Sequence, residues 1–432
     1  MFSRFKTKRA AYSVYLFSEF SVALLFSMMF TVDGVYQVSM VGLNALQLVL
    51  VGTTLEVSAF IFEVPTGVVA DVFSRRWSII AGMFVMGLGF VVEGSFPFFA
   101  PILLAQVLWG LGYTFTSGAT QAWITDEIGE AAAGKAFLRS NQVGNLAALF
   151  GIGAGMWLGS LRINLPILLG GGGMVLLGIF LTVCMPETGF KPAPREERSS
   201  WGQMLHTFLE GLRMVRRRPA LGTILSIGLI YGLYSEGLDR LWTKHMLDQF
   251  ALPLASIAQP VVWLGLMRAV GLLLSIGGTE LAQRRVNTED SRRLAQALQW
   301  ITVLLVAGVF SFALAGTLLL AMLAYWLVYV TRNVIGPLYT AWVNQRLDSQ
   351  VRATVISMSS QVDAIGQIAG GPAVGLIGNL VSVRAALLAS GVILTPVLVL
   401  YRVAIHRGES DGAGGGNNEI LDVSADEANS HA

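Results

Sequence analysis

Apolar stretches long enough to cross a lipid bilayer recur about twelve times along this chain. A helix needs about 20 predominantly apolar residues to cross the hydrocarbon core of a membrane. Hydrophobic residues make up 54% of the chain and charged residues only 13%, whereas soluble domains carry about 25% charged residues. An excess of apolar side chains on this scale has to face lipid, so we expect an all-α integral membrane protein.

The apolar stretches predict twelve transmembrane helices in two groups of six. Their approximate bounds are 11–36, 45–70, 77–95, 98–124, 137–161, 164–185, 219–246, 254–279, 294–315, 317–342, 353–380 and 383–405. The longest polar break separates the sixth stretch from the seventh. We therefore expect an N-terminal six-helix half, a cytoplasmic linker, a C-terminal six-helix half and a disordered cytoplasmic tail, at residues 1–185, 186–218, 219–405 and 406–432.

The linker carries a second pattern. Five apolar residues at helical spacing are followed by three consecutive arginines, which predicts an amphipathic helix lying on an anionic membrane surface. These apolar residues are Trp201, Leu205, Phe208, Leu212 and Val215.

The basic residues predict the orientation in the membrane. Most lie in breaks that fall on one side of the predicted bundle, whereas the opposite breaks hold little beyond Arg162, Lys244 and Arg384. Because lysine and arginine concentrate on the cytoplasmic side, we expect both termini in the cytoplasm. The expected location is the inner, or cell, membrane.

Two segments of the chain resemble each other at a constant offset. Ala122-Trp-Ile-Thr-Asp126 resembles Ala341-Trp-Val-Asn-Gln345, and the same offset of 219 aligns Gly151 with Gly370 in the following helix. A shared offset over two consecutive helices predicts two pseudo-symmetric halves with a substrate site between them.

A turn with opposite charges joins the second and third predicted spans. Asp71, Arg75 and Arg76 are the only charged residues between these two apolar segments. Together with Gly67, they match the loop between helices 2 and 3 of the major facilitator superfamily, which this chain resembles over about 400 residues. Val72 and Ser74 depart from that pattern. The resemblance implies the major facilitator fold. The run from Glu63 to Gly67 followed by Asp71, and the Glu236–Trp242 segment, are most similar to drug-efflux branches such as tetracycline and macrolide exporters.

The same resemblance implies a cytoplasmic gate. In the superfamily an acid at the end of helix 4, here Asp126, pairs with this turn. A network of Asp71, Arg75, Arg76 and Asp126 is expected to latch the two halves together on the cytoplasmic side. Glu63, at the end of the second span, is assigned to the same gate.

Charged residues inside the predicted spans are candidates for proton coupling or substrate binding. Each costs roughly 2.5–3.5 kcal/mol at mid-bilayer, so such residues face the bundle interior. For each of them, a purely structural pairing with a neighbouring helix is the alternative. The candidates are Glu19, Asp33, Glu56, Glu236, Asp239, Arg240, Arg268, Arg332 and Asp363.

Spacing suggests partners for some of these charges. Glu236 and Arg240 lie four residues apart, which favours an ion pair within one helix. Arg332 and Asp363 lie on helices that are neighbours in the chain, which makes a second pair plausible.

Other classes of function find little support. No Gly-x-x-x-x-Gly-Lys-Ser/Thr loop occurs, which argues against ATP hydrolysis, and the four histidines do not fall at metal-ligand spacing. The single cysteine, Cys184, excludes an intrachain disulfide framework. We expect no enzyme activity, metal, cofactor or nucleic-acid partner, although an intramembrane enzyme and a transport-inactive sensor or assembly factor remain alternatives.

The resemblance to drug-efflux branches, together with the intramembrane acids, implies a monomeric secondary transporter that exports amphiphilic or cationic drugs in exchange for protons. Its partners are a small-molecule substrate, protons and the lipid bilayer. The carboxylate that binds either proton or drug is expected to be Glu19 or Asp363. The alternative is proton-coupled uptake, or uniport, of a small metabolite.

Overall fold

The structure is a bundle of long helices joined by short turns. This computed structural model describes residues 2–192, 202, 219–252, 260–345 and 349–405, so the predicted linker helix and tail lie outside the described residues. The helices are α1 (Phe2–Val35), α2 (Ala45–Val72), α3 (Arg75–Ser95), α4 (Phe99–Thr116), α5 (Ala119–Ile128), α6 (Glu130–Leu161), α7 (Leu165–Cys184), α8 (Pro219–Gln249), α9 (Pro260–Arg285), α10 (Ser291–Leu314), α11 (Leu318–Gln345), α12 (Ser349–Leu380) and α13 (Val383–Leu394).

Within the described part of the chain, ten helical segments are long and apolar enough to cross a membrane. One of them, Phe99–Ile128, combines α4 and α5. The helices α8 and α12 are 31 and 32 residues long but are not among the ten. The chain is therefore a multi-pass membrane protein, and the count of twelve spans stays a prediction.

Local sequence signals set several helix boundaries. Asn44 and Gln47 form a reciprocal capping box at the start of α2. Ser74, which stands where the superfamily pattern has glycine, caps α3 by accepting a hydrogen bond from the Trp77 amide at 3.0 Å. Gly118 and Gly129 have positive φ angles of 69° and 91° and separate α4, α5 and α6, since glycine adopts this conformation without steric cost.

Contacts between helix ends define two faces of the bundle. At one face the Lys8 ammonium donates to the Ile128 carbonyl, and Ser74 reaches Glu187. We call this the basic face, because the arginines of the α2–α3 turn and of the α9 end lie on it. At the opposite face the Asn164 amide donates to the Gly94 carbonyl.

Two helix pairs approach closely through glycine. A Cβ on Gly151 or Gly155 of α6 would collide with a backbone carbonyl of α1, and a Cβ on Gly370 of α12 would collide with the Leu233 carbonyl of α8. Small residues allow such close approach between helices in membranes. We call residues 2–192 the N-terminal part and residues 219–405 the C-terminal part.

The α6 glycines provide a test of this packing with an internal control. Gly151→Ala should lower the melting temperature of the detergent-solubilised protein, because the added methyl group meets the Leu24 carbonyl of α1. Gly153→Ala, two residues along the same helix, faces open space. It should leave the melting temperature unchanged or raise it, since alanine is favoured over glycine in a helix by about 1 kcal/mol. Equal effects of the two substitutions would contradict the packing.

Candidate functional site

A cavity of about 520 Å³ lies between the N-terminal and C-terminal parts. Helix α1 supplies one wall, and α8, α9, α10 and α11 supply the other walls. Aromatic side chains alternate with charged ones around it. The residues that line it include Phe30, Asp33, Gln37, Asp239, Arg240, Trp242, Arg268, Tyr325, Tyr329 and Arg332.

An ion pair between α8 and α11 forms part of the cavity wall. The guanidinium of Arg332 binds the carboxylate of Asp239 through two parallel hydrogen bonds, one of them 2.8 Å long. The expected pairing of Arg332 with Asp363 is therefore wrong. Although α11 and α12 follow each other in the chain, α8 supplies the nearer carboxylate, and Asp363 instead accepts a hydrogen bond from Gln367 at 2.8 Å.

A second cavity, of about 460 Å³, lies within the C-terminal part and nearer the basic face. Asp239 and Arg332 line both cavities, so their ion pair stands between the two. Polar side chains supply much of the wall of the second cavity. Among them are Tyr231, Tyr234, Tyr339, Ser359, Ser360, Asp363 and Gln367.

A second ion pair on α8 faces the N-terminal part. Arg240 donates to Glu236 at 2.9 Å, and the Glu236 side chain is 4% exposed. This confirms the local pair predicted from the spacing of the two residues. The pair packs onto Gly52 of α2, where a Cβ would overlap both charged groups. Glycine at this position therefore allows a charged pair of the C-terminal part to lie against the N-terminal part.

The N-terminal and C-terminal parts contact each other at the end of the bundle opposite the basic face, and these contacts close that end. Near the start of α2, Val49 and Thr53 contact Gly371 near the end of α12. Likewise, Met156 near the end of α6 contacts Gly265 near the start of α9. We call this end of the bundle the closed face.

The Arg268 side chain extends from α9 of the C-terminal part to α1 of the N-terminal part, at the level of these contacts. Its guanidinium donates to the Phe30 carbonyl of α1, and it forms no ion pair among the described residues. Sequence reasoning identified the buried cation but not this acceptor.

Asp33 belongs to a cluster that includes a carboxylate absent from the sequence candidates. The Gln37 side-chain amide donates to Asp33 at 2.9 Å and to Glu93 of α3 at 3.0 Å. Gln106 of α4 lies 3.4 Å from Glu93. Glu93 is 1% exposed. The signal in the sequence is that Glu93 is an acid inside the third apolar span. It lies two residues before the end of that span, where an acid is easily assigned to the next loop.

The other acidic candidates lie apart from the cavity walls. Glu19 and Glu56 are half-buried and form no hydrogen bond or ion pair within the described ranges. Neither lines the two cavities. Glu56 lies four residues from Gly52 on α2, and therefore on the helix face against which the Glu236–Arg240 pair packs. Glu63 is exposed near the basic end of α2.

The charged turn between α2 and α3 is anchored at both of its basic residues. Arg75 forms an ion pair with Asp126 at the end of α5. The Arg76 backbone amide donates to Glu187 at 2.9 Å, and the Ser74 hydroxyl donates to the same carboxylate at 2.6 Å. The turn thus connects α3, α5 and the segment after α7.

The Arg75–Asp126 pair confirms the expected contact between the acid at the end of the fourth span and this turn, whereas a latch between the two halves stays a prediction. All the partners belong to the N-terminal part, so among the described residues the network fastens one part internally. Asp71 forms no hydrogen bond or ion pair there. The reason is geometric, because Asp126 and Glu187 end helices that pack beside α3, whereas Asp71 is still on α2. Gly67 likewise lies inside α2.

Comparison with known proteins identifies the class. The family model of the Major Facilitator Superfamily matches residues 10–362. YxaM of Bacillus subtilis (strain 168), an uncharacterized MFS-type transporter, is 24% identical over 375 residues, which cover 83% of this chain and 87% of YxaM. The chain belongs to the Major Facilitator Superfamily. It is a secondary transporter of small molecules, and this membership points away from an enzyme.

Solved structures share the fold at low sequence identity. The nucleoside transporter NupG superposes with a TM-score of 0.68 at 15% identity, covering 92% of this chain and 98% of NupG. A bacterial homolog of the human lysosomal transporter Spinster, in an inward-facing and unoccupied conformation, gives a TM-score of 0.70 at 12% identity, covering 93% and 97%. A POT family transporter in complex with 5-aminolevulinic acid gives 0.72 at 13%, covering 92% and 96%.

The contact at Gly52 leads to a prediction about the closed face. Gly52→Ala should push the Glu236–Arg240 pair away from α2 and loosen this face. A cysteine replacing the buried Val49, with Cys184 changed to serine, should then react faster with a membrane-impermeant maleimide. Gly172→Ala, at a helix position with open space, is the control and should leave the labelling rate unchanged. Equal labelling in both backgrounds would show that Gly52 does not hold the face closed.

Proposed function

We propose that this chain exports amphiphilic or cationic molecules in exchange for protons, as a monomer that alternates access between the two sides of the cell membrane. The observation that carries the proposal is the cavity between the two parts, which inter-part contacts close toward one face. Alternating access requires such a site together with a contact that opens. The twelve-span count and the pseudo-symmetry of two six-helix halves belong to this proposal.

The distribution of charge supports an orientation. Basic residues cluster at the basic face, and positive residues favour the cytoplasmic side. Both termini are then cytoplasmic, the closed face points outward, and the second cavity lies on the cytoplasmic side of the first. This arrangement is an inward-facing state, the conformation in which the Spinster homolog was crystallised.

The chemistry of the first cavity supports an amphiphilic, cationic substrate. Trp242 and Tyr325 lie with ring centroids 4.8 Å apart, and Phe30 and Tyr329 add further aromatic surface. Aromatic faces attract cations, and Asp33 and Asp239 supply carboxylates in a wall that also holds Arg240, Arg268 and Arg332. A cationic substrate that takes the place of Arg332 at Asp239 would free the guanidinium and alter the wall between the two cavities.

Proton coupling is assigned to intramembrane carboxyl groups. Asp363 lines the second cavity, where its only hydrogen-bond partner among the described residues is Gln367. Its carboxylate is therefore available to a proton or to a cationic substrate that enters from the basic face. Glu19 is the other proposed proton carrier, at a position outside both cavities. Arg75, Arg76 and Asp126 keep a supporting role, as the anchor of the α2–α3 turn.

Uptake or uniport of a small metabolite is the second candidate. The polar wall of the second cavity favours it, because tyrosine, serine and glutamine side chains suit a hydrogen-bonding solute. Arg268, a cavity cation without an ion-pair partner in the described residues, would suit a carboxylate or another anionic group on such a solute.

The proposal is tested in everted vesicles energised to an acidic interior and monitored with a pH-sensitive dye. Adding compounds from a panel of cationic and neutral drugs should release protons from vesicles that carry the wild-type protein. Glu19→Gln and Asp363→Asn should each abolish this release. Asp239→Asn should slow it by about tenfold or more, because it leaves Arg332 unpaired inside the bundle.

The matched control is Asp248→Asn. Asp248 pairs with Lys244 on the same helix but lines neither cavity, so this variant should behave like the wild type. Normal release from both Glu19→Gln and Asp363→Asn would contradict the coupling assignment. If no compound releases protons from the wild type, uptake or uniport is favoured instead.

A further inference from the structure

A group of polar side chains from three helices is buried beside the first cavity, near the closed face. Gln37 Nε2 lies between the carboxyl groups of Asp33 and Glu93, at 2.9 Å and 3.0 Å. Gln106 Nε2 approaches the other oxygen of Glu93 at 3.4 Å. Glu93 and Gln106 are each 1% exposed, so bulk water does not solvate them.

The charge of this group favours a bound proton. If Asp33 and Glu93 were both ionised, two negative charges would face each other across a neutral amide inside the membrane, where each is costly, and the cations nearest to them belong to the C-terminal part. A single amide nitrogen joins one oxygen of each carboxyl group, so the two acids are close enough for a negative charge on one to disfavour a negative charge on the other.

Gln106 independently points to a hydrogen-bond donor at this place. Its Oε1 atom is buried and has no hydrogen-bond partner among the described residues, an arrangement that destabilises the folded protein. The oxygen and nitrogen of a side-chain amide exchange positions by a half-turn. After such a half-turn, Oε1 would accept a hydrogen bond from a protonated Glu93, and Nε2 would give up the 3.4 Å contact that it makes now.

The donor between the carboxyl groups favours a proton over a metal cation. The hydrogens of Gln37 Nε2 occupy the space between the two carboxyl groups, where a sodium ion would have to bind, and they would repel it. The charged groups that face the pair are Arg240 of α8, for both acids, and Arg268 of α9, for Asp33. The neighbouring Tyr36 hydroxyl donates to the Glu93 backbone carbonyl at 2.6 Å.

We propose that Asp33 and Glu93 share one proton and form the site that takes up protons from the solution at the closed face when that face opens. This inference rests on the proton-coupled transport proposed above and adds a site to Glu19 and Asp363. Arg240 and Arg268 belong to the C-terminal part. Separation of the two parts at this face therefore removes both cations from the acid pair and strengthens proton binding there, whereas closure weakens it.

Infrared difference spectroscopy tests the site without a substrate. The full-length protein in lipid vesicles is compared between acidic and alkaline buffer, and the carbonyl band of a protonated carboxyl group is measured. One such band should disappear in Glu93→Gln and also in Asp33→Asn. With only one acid left in the group, the repulsion between two carboxylates is removed, and the shared proton is no longer held. Asp248→Asn, the surface-paired control, should keep it.

A variant that keeps both acids controls for loss of the band through misfolding. Gln106→Leu keeps both acids but removes the amide, so the band should persist and move toward the position of a more weakly hydrogen-bonded carboxyl group. A band that persists unchanged in Glu93→Gln and Asp33→Asn would overturn the proposal, as would a band that is lost in only one of them.

The spectra also separate this site from the transport proposal. Loss of the band in both variants, with no drug-driven proton release from the wild type, would support the proton site and contradict drug/proton exchange. Drug-driven release from the wild type, with the band unchanged in both variants, would support the exchange and overturn the site.

Discussion

Two ion pairs on α8 hold the charges that line the interface between the two parts of the bundle. Glu236 and Arg240 neutralise each other within the helix, and Asp239 neutralises Arg332 of α11. Breaking the buried Glu236–Arg240 pair would cost about 3–5 kcal/mol, because one charge is left unpaired, whereas the Asp239–Arg332 pair is partly exposed to the cavities. The Glu236–Arg240 pair packs against α2, and the Asp239–Arg332 pair separates the two cavities. The positions of α2, α8 and α11 thus depend on how these charges are matched.

Glycine determines where the charged helix can lie. Gly52 gives the Glu236–Arg240 pair room against α2, and Gly371 brings α12 against Thr53 of the same helix. Both contacts join the N-terminal part to the C-terminal part near one face. Within each part, Gly151 and Gly370 fix α6 on α1 and α12 on α8. Helix packing without a hydrophobic driving force relies on such close approach, and a few contacts of this kind can separate without unfolding either part.

Much of the fold was predictable, because membrane helices can be recognised in a sequence by the length and composition of their apolar stretches. Local interactions were also predictable, as Glu236 and Arg240 show, since four residues bring two side chains together on any helix. Partners on different helices were not. The partner of Arg332 depends on how α8, α11 and α12 pack, and that is decided by side chains distributed over the whole bundle. Glu93 lies near a span end, where an acid is usual in the following loop, whereas the pairing of Arg75 with Asp126 followed from the family resemblance.

The central claim is that the two parts separate at the closed face in every transport cycle. Thr53 Oγ1 lies 2.8 Å from the Cβ position of residue 371, so Thr53→Cys with Gly371→Cys, in a Cys184→Ser background, places two sulfurs within reach of a disulfide. Oxidation should stop substrate transport in vesicles, and a reductant should restore it. A Thr54→Cys and Gly371→Cys pair should not respond, because residue 54 lies about 100° around the helix from residue 53. Transport at the wild-type rate by fully cross-linked protein would contradict the account.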